Sequence, residues 1–329
     1  MERATLVILP GVFIALAGIS WAVPLVGAAH FTNKTAAMAG IRPLENSTNS
    51  QFAHSNITVP MPVRFREARD SGLLVRAWIN GSGPYTFAVD TGAGITVISD
   101  NLVQQARLQV TRKHHTLTTG LSGATAVLDR EAVIDQIALG EADNLLPSKS
   151  VAIIATLPPD IDGILDPTEA YSPLGYSIDI PSGEIKSFDP GAGGLNNRNQ
   201  PPGGTVVPWV HDGQSRRPFV RLGDGRLALI DTGSGFGLAV SEIGPHIGGA
   251  RRRESVRDIG GGTIQSLRVA PTSVSIGSLV LRGVPTDILT GVEKGAPVIL
   301  GRDALYPFRI TFDPLRRLIE IAPAAESNR

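Results

Sequence analysis

Two short stretches of this chain place an acid, a hydroxyl and a glycine in the same order behind an apolar run. They are Phe87-Ala88-Val89-Asp90-Thr91-Gly92-Ala93-Gly94 and Ala228-Leu229-Ile230-Asp231-Thr232-Gly233-Ser234-Gly235. An aspartate at the end of an apolar strand is carried toward the interior, where burial disfavours its charged form. Two such carboxyls held close together cannot both ionise easily. One then keeps a proton and serves as acid while the other serves as base, which is the equipment for activating a water against a carbonyl carbon. The glycine after each Asp-Thr permits a tight turn in which backbone N–H groups point back at the carboxylate. A single Asp-Thr-Gly reads equally well as a β-turn, because Asp and Gly favour turns. The second copy, in an equivalent place, gives the pattern its weight.

The elements around the two copies repeat as well. The run Leu73-Leu74-Val75-Arg76-Ala77-Trp78-Ile79, closed by Asn80-Gly81, precedes Tyr85 to Val89, which delivers Asp90. In the second half Arg217 to Leu222, closed by Gly223-Asp224-Gly225, precedes Leu227 to Ile230, which delivers Asp231. Downstream, Asp162-Gly163-Ile164-Leu165-Asp166 stands against Pro297-Val298-Ile299-Leu300-Gly301, at offsets of 166 − 90 = 76 and 301 − 231 = 70. Each unit closes on a hairpin-like pair, Tyr176–Ile180 with Glu184–Phe188 and Arg309–Phe312 with Leu318–Ile321. Short apolar runs at close spacing between Gly, Asp, Asn and Pro give an all-β fold class. The chain divides into an apolar N-terminal segment (1–29), a polar tether or pro-segment (30–59), a first lobe (60–189), a Gly/Pro/Asn linker flexible by composition (190–204), a second lobe (205–323) and a tail (324–329).

Hydrophobic-hydrophobic-Asp-Thr-Gly, followed about 70 residues later by hydrophobic-hydrophobic-Gly, resembles the aspartic peptidases of the pepsin and retropepsin clan. The resemblance runs over roughly residues 60 to 323, and the separation 231 − 90 = 141 is short for a pepsin. It looks more like two retropepsin-sized units fused in one chain. The resemblance implies a two-lobed acid-protease fold with a cleft between the lobes and Asp90 and Asp231 as the catalytic pair. It gives Thr91 and Thr232 the role of locking the two loops together, with Gly92, Gly233 and Ser234 completing those loops. It also implies two flaps, at Gly120-Leu121-Ser122-Gly123 and at Gly260-Gly261-Gly262. The implied activity is that of an aspartic endopeptidase on a peptide or protein substrate, without a cofactor or metal, and active as a monomer because both motifs lie on one chain. Asp166 departs from the family pattern, which has glycine there, and puts the geometry of the first unit in question. The competing reading is a catalytically impaired peptide-binding relative on the same fold. Ala93 and Ser234 also differ, and a Ser234 hydroxyl bonded to Asp231 would leave the shared proton on Asp90.

Composition narrows the partners. Lys+Arg 30 against Asp+Glu 30 gives a net charge of +0, with no field for nucleic acid. There is no cysteine, which removes disulfides, thiol nucleophiles and Cys-bound metal. No charge falls between Leu6 and Ala29, so residues 1–29 read as a signal peptide or a membrane anchor. Either places the lobes outside the cytoplasm, periplasmic, secreted or membrane-attached. The pair His114-His115 and the run Arg251-Arg252-Arg253 read as solvated loop and charge run.

Overall fold

A computed structural model describes residues 58–68, 71–119, 125–210, 216–241, 252–257, 263–292 and 296–324. The expected signal or anchor at 1–29 and nearly all of the tether at 30–59 lie outside these residues, as does the tail beyond 324. Among the described residues no helix is long and apolar enough to cross a membrane.

The fold is nearly all β, in three sheets. The first half forms one sheet whose strands run, in spatial order, Gly72–Ile79, Ser82–Val89, Gly163–Leu165, Val97–Ser99, Ser150–Ala155, Thr125–Ile134 and Val110–Thr119, with Arg66–Ala68 at one edge. The second half forms another in the order Phe219–Arg221, Leu227–Asp231, Val298–Gly301, Leu238–Val240, Leu279–Thr290, Thr263–Ile276 and Arg252–Arg257. Strand for strand, the parallel and antiparallel pairings of the two orders agree. In each, the strand that delivers the aspartate lies parallel to the downstream apolar run, so that Leu165 pairs with Val89 and Gly301 with Asp231.

The third sheet joins the halves. Its order is Val63–Arg64, Glu184–Phe188, Gly175–Asp179, Phe308–Asp313, Leu318–Pro323 and Thr205–Pro208, all antiparallel. The two closing hairpins meet at its centre, where Tyr176 pairs with Phe312 and Ile178 with Ile310. Aromatic side chains pack together at this seam: Tyr176 stacks on Phe312 at 4.8 Å, Tyr171 on Tyr176 at 5.7 Å, and Trp209 meets Phe312 edge-on at 5.9 Å. Each buried ring removes enough apolar surface to contribute roughly 2–3 kcal/mol.

Beneath each aspartate strand, volumes are exchanged between the two halves. Phe87 faces Gly163 in the first and Ala228 faces Val298 in the second. A Cβ on Gly163 would lie 2.3 Å from the Phe87 ring, so the large residue on one strand requires the small one on the other.

The linker at 190–204, flexible by composition, is tied down in the structure. The fully buried Asp313 carboxylate accepts the Leu195 N–H at 2.9 Å and the Arg316 N–H at 2.8 Å, and Arg316 also reaches the Pro190 carbonyl. A buried carboxylate needs such donors, and here the linker backbone supplies one. The expected flap tips, Gly120-Leu121-Ser122-Gly123 and Gly260-Gly261-Gly262, lie outside the described residues. The strands that bracket them pair as hairpins, Thr119 with Thr125 and Arg257 with Thr263.

Candidate active site

Asp90 and Asp231 leave the ends of their strands at the same level, and each loop closes against the opposite lobe. The Thr91 hydroxyl donates to the Ile230 carbonyl at 2.7 Å and accepts the Thr232 N–H at 3.1 Å. The Thr232 hydroxyl donates to the Val89 carbonyl at 3.1 Å and accepts the Thr91 N–H at 3.1 Å. All four bonds are buried, so two threonines satisfy four backbone groups that water cannot reach.

The glycines bring the carboxyls together. A Cβ on Gly92 would lie 2.8 Å from Cγ of Asp231, and one on Gly233 would lie 2.4 Å from Cγ of Asp90. Any side chain at either position would drive the opposite aspartate out of place. Inside its own loop, Asp90 Oδ1 accepts the Gly92 N–H at 2.7 Å and Asp231 Oδ1 accepts the Ser234 N–H at 3.0 Å. The other oxygens, Oδ2 of each, are buried and take no hydrogen bond from another protein group.

Both carboxyls are pushed above the ordinary aspartate range, and not equally. Burial raises Asp90 well above its usual value, and the adjacent Asp231 adds to it by charge and by hydrogen bonding. Burial raises Asp231 too, but the hydrogen bond from Asp90, the Ser234 and Gly233 N–H groups and the Arg302 guanidinium all pull it back. The Ser234 hydroxyl takes no part in this, contrary to the sequence-based expectation. It accepts the Phe236 N–H at 3.3 Å, while Ser234 reaches Asp231 through its backbone.

Arg302 escaped the sequence reading. It is buried, and its Nη1 donates to the Thr232 and Gly233 carbonyls at 2.9 and 3.0 Å. Its Nε forms an ion pair with Glu67 of the first half at 3.4 Å. The signal was an arginine directly after Gly301 at the end of an apolar strand, where the first half has Pro167. The first loop has a different support, since the buried Arg217 lies over the Phe219 ring and its stem would meet a Cβ on Gly94 at 3.2 Å.

Asp166 does not distort the first half. Its φ of −76° is ordinary for any residue, and its Oδ1 caps the short helix Pro167–Ala170 by accepting the Thr168 N–H at 2.9 Å. The glycine is required only at 301, where a Cβ would lie 2.4 Å from the Phe236 carbonyl and 2.8 Å from that of Ser234. In the first half the Thr96 hydroxyl meets the Asp166 N–H instead, at 3.4 Å.

No curated protein matches the chain. Residues 75–165 match the aspartyl protease family model. That stretch, which holds Asp90, Thr91 and Gly92 and stops one residue before Asp166, is thus similar to aspartyl proteases of the retropepsin-like type.

Proposed function

We propose that the protein is an aspartic endopeptidase built from two fused retropepsin-like units, in which Asp90 and Asp231 act on one water. The observation that carries this reading is the mutual approach of Gly92 to Asp231 and of Gly233 to Asp90, which leaves the two buried carboxyls facing each other. Asp231, raised less than Asp90, takes a proton from the water as the water oxygen bonds to the substrate carbonyl carbon. Asp90 gives its proton to the carbonyl oxygen. As the C–N bond breaks, the proton on Asp231 passes to the departing amine, and the hydroxyl proton of the tetrahedral carbon returns to Asp90. The substrate is an extended peptide or protein segment lying between the lobes under the hairpins that bracket 120–124 and 258–262. One chain carries the whole site, so the working form is a monomer. The charge-free stretch within residues 1–29 supports an exported or membrane-attached location.

The test is hydrolysis of an unstructured protein across acid to neutral pH by the parent and by Asp90→Asn and Asp231→Asn. Each variant should fold and lose at least about 10³-fold in kcat, because residues that act as a unit fail together. Substantial turnover by either variant would overturn the assignment.

A further inference from the structure

We propose that Asp166 is a third carboxyl of the site, a positioning residue one strand away from Asp90 whose charge state sets how tightly Asp90 keeps its proton. The inference rests on the Asp90–Asp231 reading given above.

The placement follows from strand register. Ile164 and Leu165 pair in parallel with Ala88 and Val89, and the Asp90 N–H donates to the Leu165 carbonyl at 3.0 Å. Asp166 therefore comes alongside Asp90 at about the 4.8 Å spacing of neighbouring strands. The same place in the second half is Gly301, paired with Asp231 and closed to any side chain by the loop carbonyls above it. Only the first half has room for a carboxyl.

The surroundings favour the protonated form of that carboxyl. Asp166 is 1% exposed, its Oδ1 accepts the Thr168 N–H, and its Oδ2 is buried without a partner. A carboxylate so poorly solvated is costly, whereas a neutral acid is tolerated. Burial first, and then the negative Glu169 on the same helix, push Asp166 up to about 7, while the Thr168 and Glu169 N–H groups and Arg216 pull the other way. Asp90 faces it from the active-site loop, and Tyr176 faces it from the central sheet. Glu169 is itself held by the Ser150 hydroxyl at 3.2 Å, the Thr96 N–H at 3.4 Å and Arg216 at 3.8 Å. It lines a cavity of about 420 Å³ with Lys149, Arg216 and Arg317, which gives this polar cluster an approach to solvent apart from the dyad.

The direction of the effect follows. As pH rises through about 7, Asp166 ionises and sets a negative charge beside Asp90. A like charge disfavours ionisation of its neighbour, so above about 7 Asp90 holds the shared proton more tightly. Asp166 thereby carries the active protonation state of the dyad upward in pH.

Asp166→Asn keeps the shape and the oxygen that caps Thr168 but removes the charge. The upper limb of its kcat/KM profile should lie below the parent's, by about one pH unit for the loss of a like charge on the neighbouring strand. A merely structural role would lower the whole profile without moving the limb. In parallel, carboxyl-carbon NMR on aspartate-labelled full-length protein should show Asp166 titrating near 7 in the parent, and Asp90 titrating lower in Asp166→Asn. That measurement needs no turnover. A parent that hydrolyses nothing but shows this coupling refutes the peptidase reading alone. Overlaid activity profiles, an Asp166 midpoint near 4, or an Asp90 midpoint indifferent to Asp166→Asn would overturn the inference.

Discussion

Replacing Thr91 by valine isolates what the crossed threonines contribute, since valine keeps the shape and removes only the hydroxyl. Two buried groups lose their partner: the Ile230 carbonyl, now bonded at 2.7 Å, and the Thr232 N–H, now bonded at 3.1 Å. The reciprocal pair made by the Thr232 hydroxyl, with Val89 and with the Thr91 N–H, stays in place. A buried polar group left unsatisfied costs about 1–3 kcal/mol, so the substitution should destabilise by roughly 4 kcal/mol. For a chain of this size that is a fall in Tm of roughly 5–10 °C. Thr91→Ser is the control. It keeps the hydroxyl and loses one methyl, at about 1 kcal/mol. Urea unfolding followed by far-UV circular dichroism reads the difference between the two variants. The same loop sets the separation of Asp90 from Asp231, so Thr91→Val should also lose about 10²-fold in kcat even where it is fully folded. If valine and serine variants unfold within about 0.5 kcal/mol of each other, the hydroxyls are not what joins the loops, and the reasoning fails.

Two further outcomes concern the second loop. Arg302→Gln removes the cation that holds Asp231 toward its ionised form, so the acid limb of kcat/KM should move up by about one pH unit. Arg302→Lys should restore the limb without the full rate, because one ammonium cannot both hold the Thr232 and Gly233 carbonyls, bonded through Nη1, and pair with Glu67, which faces Nε; an acid limb unmoved in Arg302→Gln would exclude the charge effect. Ala93→Ser should leave the pH profile overlaid on the parent's, since the matching Ser234 reaches Asp231 through its backbone N–H and not through its hydroxyl. A displaced upper limb in that variant would restore the hydroxyl account.

Local sequence was informative wherever the structure is local. The apolar runs before Asp90 and Asp231, the two closing hairpins and the paired strands flanking both expected flap tips can all be read from alternation and turn residues. Their partners cannot. Nothing in the stretch around Tyr176 indicates that it will pair with Phe312, because period-two alternation specifies a face and not the strand beside it. The exchange of Phe87/Gly163 for Ala228/Val298 is hidden for the same reason, since each half alone shows only an unremarked small residue. The linker misled through composition: its glycines and prolines permit flexibility, but Asp313, more than a hundred residues on, holds its backbone. Asp166 misled in the opposite way. The glycine of the second half is needed because two loop carbonyls press on it, a contact the first half does not make, so an aspartate enters there without strain.

The two residues that follow the apolar run are Asp166-Pro167 in one half and Gly301-Arg302 in the other, and the difference bears on the chemistry. A dyad in which one carboxyl is acid and the other base needs two unlike carboxyls, yet a repeated scaffold delivers two like ones. In a symmetric pair of identical units every residue beside one aspartate recurs beside the other, so the proton has no preferred side until substrate breaks the symmetry. A single chain is free of that constraint. Here an acidic group stands beside Asp90 and a buried cation beneath the loop of Asp231. A negative neighbour tightens Asp90's hold on a proton and a positive one loosens Asp231's, so once Asp166 ionises, near 7, both departures from repetition push the proton the same way. Both add to an asymmetry whose larger causes lie at the loops: burial and the neighbouring Asp231 raise Asp90 most, and the hydrogen bonds from Asp90 and the Ser234 N–H do most to draw Asp231 back.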